Sequence, residues 1–132
     1  MSGPRPSATA GNGSPSPSLR DLTEAIQQRP GVQGVVILGA DGLVIETHDA
    51  AHDNAEAVAA RVPGVVTAAG QLGSAARDGE LKLALLEFDD GFGVVLRLTP
   101  HAMLFVSTTR DVALAELLYD LRRHRAPMAA LV

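Results

Sequence analysis

The side chains capable of chemistry are few, and their spacing suits other work. His48 and His52 stand four apart beside Asp49 and Asp53. Imidazoles and carboxylates are good metal donors, but this quartet falls in a polar loop and lacks the helical frame that would aim an i, i+4 pair. Asp89 and Asp90 are adjacent carboxylates. Acid and base roles need a cleft that separates two environments, and a hairpin turn offers none. Ser107, Thr108 and Thr109 supply hydroxyls without a GxSxG elbow or an ordered base, so Thr108 or Thr109 reads as a helix cap. Lys82, the only lysine, stands in a strand and not in GxxxxGK[ST], and Gly11-Asn12-Gly13 follows no strand. His101 sits in a turn after Pro100, and His124 in a cationic helix end. The expectation is no catalytic residue, no metal, no cofactor, and therefore no enzyme.

Composition narrows the remaining classes. With 132 residues the chain predicts one domain. A net charge of −4 and 3% aromatic residues exclude the basic face and the stacking platforms of a nucleic-acid binder. The absence of cysteine suits a reducing compartment, so a cytoplasmic location is expected. No apolar run is long enough to insert in a membrane. Residues 1–17, rich in Pro, Gly and Ser, read as a disordered tail, and 18–132 as the folded domain.

The elements that must position any site follow from periodicity. Ser18 caps a helix over Leu19–Gln28, with Leu19, Leu22 and Ile26 as its apolar stripe, and Pro30-Gly31 stops it. Val32–Ala40 is apolar on both faces, as a central strand is, and Asp41-Gly42 turns it into the partner Leu43–Thr47. Asp53 caps a long helix over Asn54–Arg77 in which Val58, Val62, Val65, Val66, Ala69, Leu72 and Ala76 face a sheet. Pro63 predicts a kink there. Ala57, Gly64, Ala68 and Ala75 make a small-residue shoulder that would let another helix approach closely. Strands over Glu80–Phe88, Gly91–Thr99 and Ala102–Ser107 follow, the first carrying Lys82 as edge protection. A last helix, Asp111–Arg125, buries Leu114, Leu117, Leu118 and Leu121 and ends in Arg122, Arg123, His124 and Arg125. The order α-β-β-α-β-β-β-α predicts an α+β fold: a five-stranded antiparallel sheet with helices on both faces.

These segments resemble the Roadblock/dynein-light-chain domain family, in particular its bacterial MglB-type single-domain members. The likeness lies in PGVQGVVILGADGLVIET (30–47), in the Ala-rich helix leading into DGELKLALLEFDDGFGVVLRL (78–98), and in AMLFVSTTRDVALAELLYDLRR (102–123). Ala115 departs from the glycine that many relatives carry. The resemblance implies a homodimer in which the long helices pair and the third strands join edge to edge into one ten-stranded sheet. Ala57, Gly64, Ala68, Ala75 and Lys82 would then lie at the dimer interface. It also implies a small Ras-like GTPase as partner, its hydrolysis accelerated by ordering its own catalytic residues; other members are adaptors. With core face and seam both used, Asn54, Glu56, Arg61, Thr67 and Gln71 remain as the partner-binding surface, Arg61 as a salt-bridge residue and not a phosphate-reaching arginine.

Overall fold

A computed structural model describes residues 16–49 and 54–132. The tail over residues 1–15, and His52 and Asp53 of the polar loop, lie outside the described residues. The first helix, α1 (Leu19–Gln27), opens on a reciprocal cap: Asp21 N donates to Ser18 Oγ (3.1 Å) and Ser18 N donates to the Asp21 carboxylate (3.0 Å). The bond from the Ser18 backbone, then that from its hydroxyl, holds the Asp21 carboxyl below the ordinary carboxylate range.

The rest alternates as the pattern predicts: β1 (Val32–Gly39), β2 (Val44–Asp49), α2 (Ala55–Ala75), β3 (Leu83–Phe88), β4 (Gly91–Thr99), β5 (Ala102–Thr109) and α3 (Leu114–Ala129). The five strands form one antiparallel sheet in the order β2-β1-β5-β4-β3. β1 is central because it is apolar on both faces. Its Val35 and Ile37 join Val94, Leu96, Leu104 and Val106 in a core closed by Ile26 of α1 and by Leu117, Leu121 and Met128 of α3. Its Val36 and Leu38 join Val95 and Met103 in a second core under Ala59 and Val62 of α2. Helices therefore cover both faces. Gly91, at the start of β4, has no room for a side chain, since a Cβ there would lie 1.9 Å from Thr108 O.

Three expectations need correction. Thr108 and Thr109 do not cap a helix. Their backbone pairs with β4, which keeps them in β5, and α3 begins only at Leu114, after a turn that ends at Ala113. That helix also continues past Arg125 through Pro127, because Met128 is fully buried and anchors an extra turn. Arg122–Arg125 therefore lie within α3, where Arg123 pairs with Asp120 and Arg125 Nε donates to Arg97 O. Lys82, lastly, stands just before β3 and not in mid-strand, although its carbonyl already accepts from Arg97 N (3.0 Å).

Candidate interaction surface

The surface that could carry function is built around α2. Its N-cap is Asn54, one residue later than expected, and the helix runs without a break through Pro63. It ends in a paired-carbonyl motif: Asp78 N donates to Gly73 O (2.8 Å) and Arg77 N to Ser74 O (3.1 Å). The motif needs a left-handed residue, and Arg77 fills that position at φ +60° where glycine is usual.

The buried face of α2 differs from the expected one. Ala59 and Val62 are buried, and Ala55, Val58 and Val66 pack beside them. Leu72, expected against the sheet, is 70% exposed, and Ala76 is exposed as well. At about 100° per residue the helix is rolled by roughly 50° from the expected face. The cause is the β1–β2 turn, which presses on the helix backbone at Ala59 and Ala60: a Cβ on Gly42 would sit 3.4 Å from Ala59 O. Only the small Ala59 allows that approach, so it takes the centre of the contact. The last turns of α2 then carry Leu72 beyond either core.

Ala57, Gly64, Ala68 and Ala75 are all exposed and share a stripe opposite the buried face. A Cβ on Gly64 would meet nothing within 4 Å, so nothing within the chain requires glycine there. Asn54, Glu56, Arg61, Thr67 and Gln71 are exposed too, but they do not form one cluster. Glu56, Thr67 and Gln71 fall on one side of the stripe and Arg61 on the other, while Asn54 precedes the helix. Thr67 joins Pro63, Gly70 and Ser74 along a groove of about 540 Å³, across from Arg97, Glu80 and Met103. Arg61 forms no salt bridge among the described residues, contrary to expectation.

Sequence reasoning missed the opposite flank of α2. There Val58 lines a smaller cleft with Phe105, Ser107 and Gly34. Val65 and Leu72 recur at sevens along that flank. On the same face of the sheet Phe88 and Phe105 close over Gly93, where a Cβ would come within 3.3 Å of both rings. Phe88 is 57% exposed and borders β3, an edge strand. A glycine within a strand, flanked by aromatics in the neighbouring strands, was the available signal. The described residues contain no group of three metal donors, and no helix among them is long and apolar enough to cross a membrane.

A sequence model of the Roadblock/LC7 domain matches residues 19–108, from the first residue of α1 almost to the end of β5. The chain belongs to the Roadblock/LC7 family. No curated protein sequence matches it. Among solved structures, this Roadblock/LC7 domain is similar to one from Streptomyces avermitilis at 24% identity and a TM-score of 0.77, covering 86% of this chain and 97% of that one. It is similar to the gliding protein MglB of Thermus thermophilus at 14% identity and a TM-score of 0.78, covering 86% and 87%. It is also similar to an MglB solved in a tetrameric arrangement, at 13% identity and a TM-score of 0.77, covering 88% and 91%. The order of elements is thus that of the Roadblock fold.

Proposed function

We propose that this Roadblock/LC7 domain is a homodimeric, non-enzymatic regulator of a small Ras-like GTPase, stimulating hydrolysis by ordering the GTPase's own catalytic residues. The observation that carries the reading is the unfinished side of α2. Leu72 and Phe88 lie exposed on that side of the sheet, with the open edge of β3 bordering them, while the other face of the sheet is closed within one chain. A second copy would cover this surface and lengthen the sheet. The stripe of Ala57, Gly64, Ala68 and Ala75 would let helices approach closely, and Lys82 would lie at the joined edges. Asn54, Glu56, Arg61, Thr67 and Gln71 would then face the GTPase. The fold shared with MglB supports a GTPase-related role, and the tetrameric MglB supports assembly into oligomers.

Acceleration needs no group inserted by the regulator. A surface that binds the aligned conformer about 4 kcal/mol better than the resting one gives roughly a thousandfold rate. Single-turnover GTP hydrolysis by the cognate GTPase, with and without the dimer, tests this. A flat rate with intact binding would favour the second reading, an adaptor that tethers a GTPase or motor component.

A further inference from the structure

The open edge of β3 has few ways to accept a second copy of itself. Lys82 O accepts from Arg97 N, and pairing continues through Leu83 with Leu96 and Ala84 with Val95. Alternate residues of an antiparallel strand bond to opposite sides. Lys82, Ala84 and Leu86 therefore bond inward to β4, and the main-chain groups of Leu83, Leu85 and Glu87 point outward along the edge. Ala84 packs in the α2-side core and Leu83 in the other, so Ala84, Leu86 and Phe88 share the α2 face. A two-fold axis perpendicular to the sheet keeps α2 of both copies on one side, and it sets each residue opposite one of the same parity.

The candidate registers differ sharply. An axis at Glu87 puts two carboxylates directly across from each other, which is destabilising. An axis at Leu85 sets the exposed Phe88 ring against Lys82. An axis at Leu86 sets Phe88 against Ala84, the smallest side chain on the strand, and brings Lys82 to the Asp89–Asp90 turn. Lys82, Asp89 and Asp90 are exposed, and none forms an ion pair among the described residues. Arg110 does not neutralise that turn's carboxylates: it donates to Phe88 O (2.9 Å) and Asp89 O (3.2 Å) and pairs with Glu87.

We propose that two copies of this chain join through β3 with Leu86 on the two-fold axis, Ala84 opposite Phe88 of the second copy, and Lys82 at its Asp89–Asp90 turn. This rests on the proposed self-association, and the two are separated experimentally as follows. Sedimentation of the full-length chain reads association alone, and a monomer at micromolar concentration removes both ideas. The chain has no cysteine, so single cysteines report register cleanly. Leu86→Cys is expected to form a disulfide-linked dimer under mild oxidation and Leu85→Cys is not. A dimer in which Leu85→Cys cross-links instead, or neither does, overturns the register and leaves association standing. A surface test avoids the strand interior. Lys82→Glu is expected to raise the dimer Kd roughly tenfold, since the lost contact occurs twice per dimer, and adding Asp90→Lys is expected to recover most of that. No recovery, with both variants folded by circular dichroism, would overturn the charge pairing.

Discussion

The two faces of the sheet are finished to different degrees. On one, α3 sinks Leu117, Leu121 and Met128 completely, and α1 adds Ile26. On the other, α2 is longer, yet only Ala59 and Val62 are buried, while Leu72 projects into solvent. Alternation supplies apolar residues to both sides of β1, so the sheet does not cause the difference. It lies in the helices. One presents a bulky stripe that fills its own core, and the other presents small residues outward and keeps part of its apolar area uncovered. A face closed by its own chain is a stability device, and one left open is an interface in waiting.

Substitutions sharpen this contrast, and the largest effect belongs to the closed face. Leu121→Ala is expected to cost about 3 kcal/mol of unfolding free energy through a cavity that the rigid surroundings cannot fill, read as a lower midpoint in urea. Leu72→Glu is expected to leave unfolding of the separated subunit within about 0.5 kcal/mol, yet to weaken self-association at least tenfold, about 1.4 kcal/mol, by sedimentation. Equal losses at both positions would erase the distinction.

Smaller effects sit at the helix ends. Ser18→Ala is expected to cost about 1 kcal/mol by removing the cap of α1. The Asp21 half of that cap has a sign set by its lowered pKa. Its contribution is complete above the unfolded carboxyl value of 3.8 and is lost as pH falls through the still lower folded value. Acid titration of Asp21→Asn beside the parent is expected to show the two converging at low pH. The smallest effect is a gain. Arg77→Gly is expected to stabilise by about 0.5 kcal/mol, because the left-handed cap of α2 suits glycine, read as a small rise in Tm.

Much of the fold was legible. The two-sided apolar run at Val35–Leu38 marked the central strand, and Asp41-Gly42 and Asp89-Asp90-Gly91 marked hairpins, because these signals are local. The start of α3 was misread because Thr108 and Thr109 have good capping side chains, and only pairing with β4 shows that their backbone is already committed. Met128 was missed because Pro127 reads as a breaker, and only a pocket in a distant core keeps the turn helical. In the candidate surface, the exposed small-residue stripe at Ala57, Gly64, Ala68 and Ala75 was readable from spacing. The apolar flank of Val65, Leu72 and Phe88 was not, since periodicity assigns such residues to a core without saying whose.

Local chemistry is written along the chain: which segments are helix or strand, where they turn, and which residues alternate inward follow from side-chain size, φ preference and period. The order of elements and the lack of a nucleophile, phosphate loop or metal motif were open to inspection before any coordinates. How α2 rolls on the sheet, which strands remain at the edges, and which apolar residues stay wet depended on contacts between segments far apart in sequence. Those are sums of many small packing terms in which one alanine against a turn can displace a leucine, and no window of neighbouring residues contains them.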